Sequence, residues 1–331
     1  MKALVCRKNG RPKAVPTLEE VEKPVPNDNE VLVQVRASSV TYNNLLLVSP
    51  KLFPIRLILG RASILGENIP GNDMAGRVEA VGRSVTQFKP GDEVYGDLFG
   101  CGKGGYAEYV CAPEDALAPK PANLSFEEAA AVPEAAMVAL HGLRDTGRIR
   151  PGQKVLIYSA SGGIGTFAVQ IAKYYGAEVT AVCSTRNLDM VRSLGADRVI
   201  DYTKEDFTKN GQQYDLILAV RKSRSVFAIK RALSPKGIYV STASGSPVRL
   251  YQEAVIGPRN YRKDGKEIAI ISGKANQKDL VFIKELIEAG KVRPVIDRRY
   301  PLSEVLEAFR YYDKGHARGK VVITVEHDSI A

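Results

Sequence analysis

Two stretches combine residue types and spacing suited to chemistry on a phosphorylated ligand. The first is Ser159-Ala160-Ser161-Gly162-Gly163-Ile164-Gly165, which follows the apolar run KVLIYSA at 154–160. Small residues there let the backbone approach a pyrophosphate. A helix starting in the turn aims its free N–H groups and positive dipole end at that charge. Ser161, Gly162, Gly163 and Ile164 are the candidate diphosphate-binding residues, and Gly165 permits close helix–strand packing. The second stretch, Cys183-Ser184-Thr185-Arg186-Asn187, ends the next strand. Sites for NAD place a carboxylate there, about 20 residues past the glycines, to hold the ribose 2′-hydroxyl. This strand end has none. Ser184 and Arg186 offer a hydroxyl and a guanidinium for a 2′-phosphate, and Tyr202 is positioned in sequence to cover its far side. The reading is an NADPH site; its alternative makes Arg186 a solvated residue at a helix start.

The elements that must position these residues follow from periodicity. Residues 1–123 alternate apolar segments with Pro and Gly turns, as in EVLVQVRASSV at 30–40, GRVEAVG at 76–82 and KPGDEVYG at 89–96, which predicts a β-rich domain. From 124 the texture changes. Ser125 and Glu128 match a capping box before an Ala-rich helix that Pro133 interrupts. Strands and helices then alternate, with strands at 154–160, 177–184, 198–201, 214–220, 237–242 and 267–272. Six strands with intervening helices predict a doubly wound parallel sheet over 124–289. Residues 244–266 receive no assignment. The tail from 290 returns to β-rich texture and is expected to complete the first domain.

Composition excludes several classes. The chain of 331 residues is long for one core. No stretch nears about eighteen consecutive apolar residues, so no membrane span is expected, and the N-terminus lacks a signal-peptide core. Cys6, Cys101, Cys111 and Cys183 are scattered without a disulfide pattern, which fits a reducing cytoplasm. Lys and Arg exceed Asp and Glu by 47 to 37. The excess suits an anionic cofactor, whereas a nucleic-acid surface would need clusters beyond RKSR at 221–224 and RNYRK at 259–263.

Ordered motifs along most of the chain carry a resemblance. GNDMAGRVEAVG at 71–82, FKPGDEVYG at 88–96, GGYAEYV at 104–110, AAAVPEAAMVAL at 129–140, SASGGIG at 159–165, LGADRVIDY at 194–202 and ARGKVVITV at 317–325 together resemble the medium-chain dehydrogenase/reductase superfamily, in its zinc-independent quinone-oxidoreductase branch. The resemblance implies a GroES-like β-rich domain (1–123, completed by 290–331) and a Rossmann domain with a doubly wound parallel sheet. It also implies a homodimer, an NADPH cofactor and a cofactor contact from Lys320. The activity implied is hydride transfer to a quinone or to the activated alkene of an enone. Zinc-dependent relatives carry Gly-His-Glu where this chain has Gly71-Asn72-Asp73. His141, His316 and His327 lie far in sequence from the cysteines, so no metal site is expected. The family's Asn-x-x-Asp loop here reads Thr41-Tyr42-Asn43-Asn44. Tyr42 is the candidate proton donor, with Asn44 or Thr41 the candidate for binding a carbonyl; the competing reading packs Tyr42 into the fold.

Two other functions compete. An enoyl-thioester reductase would use the basic residues at 221–224 on coenzyme A phosphates. A non-catalytic NADPH- or RNA-binding protein of the same fold would retain the cofactor without turnover.

Overall fold

The computed structural model describes residues 1–6, 16–48, 69–101, 104–220, 224–242, 251–271, 273 and 275–327. It divides into two compact units. The first comprises Met1–Glu134, Ala275–Gly290 and Pro294–Ala331; the second comprises Ala135–Lys274 and Lys291–Arg293. No helix among the described residues is long and apolar enough to cross a membrane.

Along the chain, β1 (Lys2–Cys6) and β2 (Pro16–Glu20) form an antiparallel pair. Strands β3 (Glu30–Ser39), β4 (Asp73–Val81), β5 (Glu93–Asp97), β6 (Tyr109–Pro113) and β7 (Leu117–Pro119) follow in the first unit. The second unit holds β8 (Lys154–Tyr158), β9 (Glu178–Cys183), β10 (Arg198–Asp201), β11 (Tyr214–Ala219), β12 (Leu233–Ser241) and β13 (Glu267–Ile270). The chain then returns to the first unit with β14 (Ile296–Pro301) and β15 (Lys320–Thr324).

The sheet of the first unit runs β14-β15-β3-β4-β5-β7, with β6 also on β3. Val31, Val33 and Val35 recur at the period of a strand, which puts them on one face. They meet Met74, Tyr106, Val321 and Ile323 in a single buried cluster. The C-terminal β15 pairs antiparallel with β3, with Val322 opposite Ser39, and Asp73 lies opposite Ser39 on the other side. The first unit's helix Phe126–Ala130 begins with the capping box expected from sequence. Ser125 Oγ accepts from the Glu128 N–H, and the Glu128 carboxylate accepts from the Ser125 N–H. Pro133, whose ring suits a first helical turn, opens the next helix, Pro133–Leu140.

The second unit is the doubly wound sheet the sequence predicts. Its order is β10-β9-β8-β11-β12-β13, parallel throughout. Val155, Leu156 and Ile157 are consecutive and fully buried, as a strand covered on both faces requires. The chain starts at the centre with β8, winds out to β10, then returns to β11 beside β8. That reversal is a topological switch point, where such folds bind ligands at the carboxyl ends of the strands. Residues 252–262, unassigned from sequence, form a π-helical turn Gln252–Ile256 and a helix Gly257–Arg262.

The turn after β8 is tightly built. Ser159 takes a left-handed φ of 64°, and the chain enters the helix Gly163–Tyr174, which buries Phe167, Ala168, Ile171 and Ala172. A Cβ on Gly165 would lie 2.2 Å from the Ser159 carbonyl oxygen and 2.7 Å from Ala160 Cα. Both are backbone atoms and cannot swing aside. Gly165→Ala is therefore expected to destabilise the second unit by about 1–3 kcal/mol, the cost of forcing a methyl group into a packed interior. Denaturant unfolding measures it, and an unchanged midpoint would contradict the packing role.

Candidate active site

In the second unit, the glycine-rich turn leaves helix Gly163–Tyr174 open at its start. Gly162 is its N-cap, and no side chain caps the helix. A Cβ at Gly162 would meet nothing nearer than the Ser159 oxygen at 3.6 Å, so the cap position itself is uncrowded. Ser161, Gly162, Gly163 and Ile164 thus stand where the orphan N–H groups of a first helical turn need an acceptor.

The end of β9 is adjacent to this turn. The Ala160 N–H donates to the Val182 carbonyl at 3.0 Å. Asn187, buried at 4% exposure, donates its amide to Ser161 Oγ at 2.9 Å and to Ser184 Oγ at 3.2 Å. Its Oδ1 is buried without a hydrogen-bond partner. An orphaned acceptor of this kind costs roughly 1–3 kcal/mol unless something else supplies a donor, and a bound ligand is a source of one. The Tyr202 N–H donates to the Cys183 carbonyl at 3.1 Å, and its side chain is 45% exposed. Ser161, Ser184 and Tyr202 therefore belong to one neighbourhood, at the ends of β8, β9 and β10. Arg186 lies in the short helical turn Thr185–Asn187 that follows Ser184.

Asn187 and Asp201 were missed in sequence. Asn187 gave no motif signal. Asp201 ends β10 opposite Cys183, so a carboxylate does stand beside the end of β9. It is engaged, however: Thr185 Oγ1 donates to it at 2.5 Å and Thr203 Oγ1 at 2.7 Å. The Thr185 bond leads in holding its carboxyl below the usual range, against burial and with help from Thr203. Of the basic loop at 221–224, residues 221–223 lie outside the described residues, while Arg224 pairs with Asp206 at 3.4 Å.

The first unit contains a second constellation, almost wholly buried. Lys320 Nζ lies 2.9 Å from Asp73 Oδ2, with side chains 5% and 0% exposed. Ser39 Oγ donates to the same oxygen at 2.5 Å, and the Glu134 N–H donates to Asp73 Oδ1 at 2.8 Å. Burial pulls the Lys320 ammonium down, but Asp73 and Glu134 more than reverse this and hold it protonated. The cofactor contact implied for Lys320 thus competes with a salt bridge inside the first unit.

Asn44 is equally committed. Its Oδ1 accepts from Thr41 Oγ1 and from the Tyr106 hydroxyl, both at 2.9 Å, and its Nδ2 donates to Asn72 Oδ1 at 3.1 Å. Burial, followed by Asp73 and Glu134, drives the Tyr106 hydroxyl well above its usual range, so it remains a donor. With 1% exposure, Asn44 is held between Thr41, Tyr106 and Asn72 and shapes the loop. Tyr42, at the start of helix Tyr42–Val48, is half-buried.

Glu134 joins the two halves of the constellation. Asn43 Nδ2 donates to its Oε1 at 3.2 Å and Asn72 Nδ2 to its Oε2 at 3.4 Å. Burial first, and Asp73 second, push its carboxyl up to about 7 against Lys320, Thr41 and Asn72. Burial again, then Asp73 and Glu134, raises Asp97 well above the carboxylate range. Glu134 lies within the motif at 129–140, whose spacing gives it no role, because only folding brings it to Asn43 and Asn72.

Comparison with known proteins matches residues 27–122 to the alcohol dehydrogenase GroES-like domain and 194–323 to the zinc-binding dehydrogenase family. A chloroplast envelope quinone oxidoreductase homolog of Arabidopsis thaliana is 33% identical over 92% of this chain and 93% of that protein. An NADPH-dependent alkenal/one oxidoreductase of the same plant is 34% identical over 77% of this chain and 63% of its own. The structure of the quinone oxidoreductase from Coxiella burnetii superposes with a TM-score of 0.84 at 28% identity, over 98% of this chain and 99% of that one.

The Asp73–Lys320 pair makes a stability prediction. Lys320→Met strands a buried carboxylate and is expected to cost about 3–5 kcal/mol. Adding Asp73→Asn removes the stranded charge and should recover most of that loss in denaturant titration. Equal midpoints for the single and double variants would show that the two charges are not coupled.

Proposed function

This chain belongs to the medium-chain dehydrogenase/reductase superfamily, and from that premise we propose that it is an NADPH-dependent reductase of quinones or of the activated alkene of enones. The observation that carries the reading is the open, glycine-capped helix start at the switch point between β8 and β11, beside the orphaned acceptor of Asn187. These features fit a dinucleotide. Ser161, Gly162, Gly163 and Ile164 would hold its diphosphate, while Ser184, Arg186 and Tyr202 would hold and cover a 2′-phosphate. The carboxylate near this strand end, Asp201, belongs to β10 and accepts from Thr185 and Thr203.

When bound, the nicotinamide supplies a hydride, the hard part of the reaction. The protein must orient the acceptor and manage the charge that develops on it. The reading uses no metal: Asn43 and Asn72 are amides that hold Glu134, whereas a catalytic zinc draws its ligands from thiolates, imidazoles and carboxylates. Asn44 positions the loop that leads into Tyr42, the candidate proton donor. The associated domain assignment puts the GroES-like fold in 1–123 and 290–331 and the cofactor fold in 124–289. A homodimer accompanies it, with β13 offering a strand edge among the described residues for pairing with a second copy.

Two experiments test this reading. Arg186→Ala is expected to weaken NADPH by roughly ten- to a hundredfold, the scale of one charge-assisted hydrogen bond. NADH affinity should barely change, because that cofactor lacks the phosphate. Equal wild-type affinity for the two cofactors would remove the assignment of Ser184 and Arg186. With an enone and deuterated NADPH in ordinary water, label should appear at the β-carbon and the carbonyl should survive. An allylic alcohol as main product would sink alkene reduction, and turnover of quinones alone would leave quinone reduction as the activity.

A further inference from the structure

Adding hydride to the β-carbon of an enone leaves an enolate, and the product forms only when the α-carbon receives a proton. We infer that Glu134 is the general acid that delivers this proton, an inference that rests on the alkene-reduction reading.

Four side chains of the first unit's constellation are acids or bases: Asp73, Asp97, Lys320 and Glu134. Asp73, Asp97 and Lys320 are buried, at 0%, 6% and 4% exposure. Glu134 is partly buried and keeps more surface than the other three, which suits it among them to exchange a proton with a substrate and with water. Its hydrogen bonds suit the task. Asn43 donates to Oε1 and Asn72 to Oε2, and each carboxylate oxygen has a second lone-pair direction. A proton fits on either oxygen without breaking an amide bond, so the group gains and loses it in a fixed orientation. The carboxylate's own backbone N–H is fastened to Asp73, which fixes where the side chain starts.

Charges facing Glu134 from neighbouring elements set when the proton is present. Asp73 on β4 favours the neutral acid, as does burial; Lys320 on β15 favours the anion. Asp97 on β5 and the Tyr106 hydroxyl also feel the Glu134 charge, and both are shifted toward their protonated forms. The balance places the carboxyl near 7, where a general acid is most effective at neutral pH.

The step balances. The alkene gains a hydride at the β-carbon, forming one C–H bond with two electrons from the reduced nicotinamide. The displaced π pair forms the second C–H bond at the α-carbon with the Glu134 proton. The nicotinamide is oxidised by two electrons, the alkene is reduced by two, and the Glu134 carboxylate regains a proton from water.

The test joins a spectroscopic and a kinetic measurement. In cofactor-free wild-type protein with 13C-labelled glutamate, infrared difference spectra should show a Glu carboxyl titrating within about one unit of pH 7, absent in Glu134→Gln. With an enone, Glu134→Gln should lower kcat by roughly 10²–10⁴-fold. The wild-type fall in kcat above pH 7, as the acid deprotonates, should vanish, while residual product still carries label at the β-carbon. Four results would overturn this inference by itself: turnover of Glu134→Gln near wild type, a high-pH fall that persists in it, a fall abolished instead by Tyr42→Phe, or no Glu carboxyl titrating in that window. The last needs only wild-type protein and stands even if the variant fails to fold. Label missing from the β-carbon in wild type overturns alkene reduction and this inference together; label present with Glu134 inert overturns this inference alone.

Discussion

Asp73 and Lys320 face each other at 2.9 Å in the interior of the first unit, and two charges withdrawn from water cost several kcal/mol each unless their remaining valences are filled. Here they are filled. Ser39, on the strand between β4 and β15, donates to one Asp73 oxygen, and the Glu134 backbone donates to the other. The pair therefore ties residue 320 to residue 73 across β3 and fixes the first residue of Asp73's own strand. It also sets the field in which Glu134 titrates, since Asp73 repels a second negative charge and Lys320 attracts it. Strand order, loop shape and acid strength in this unit share that one interaction.

From this anchor a chain of neutral hydrogen bonds runs outward. Tyr106 and Thr41 hold Asn44, Asn44 holds Asn72, and Asn72 reaches Glu134. Buried amides satisfied on both ends make a rigid scaffold, whereas an amide left unpaired there would be costly. The division of labour follows. Buried residues of the network, such as Asn44, hold shape, and the members at its margin, Asn43 and Glu134, are only partly buried.

The second unit rests on a steric constraint. The 2.2 Å approach that a Cβ at Gly165 would make to the Ser159 oxygen shows how closely helix Gly163–Tyr174 is drawn against the end of β8. That closeness brings the uncapped helix start beside Ser184 and Tyr202, which the parallel sheet sets at the ends of the next two strands.

Local chemistry determined much of this in the sequence itself. The run of Val155, Leu156 and Ile157, the glycines of 159–165 and the Ser125–Glu128 box each act within a few residues, so their spacing alone reveals strand, turn and helix start. The β-rich texture of the N-terminal part and the six alternating strands that follow have the same origin in side-chain period. The tertiary structure decided what depends on residues distant in sequence. Nothing in the order of residues says that Lys320 meets Asp73, that Asp201 is already engaged by Thr185, or that Asn44 is buried between Thr41, Tyr106 and Asn72. Glu134 is the clearest case: in sequence it is one acidic residue after a proline, and its acid strength comes from burial first and Asp73 second, against Lys320, Thr41 and Asn72. Electrostatics and burial depend on distance through space, and that distance exists only once the strands have paired.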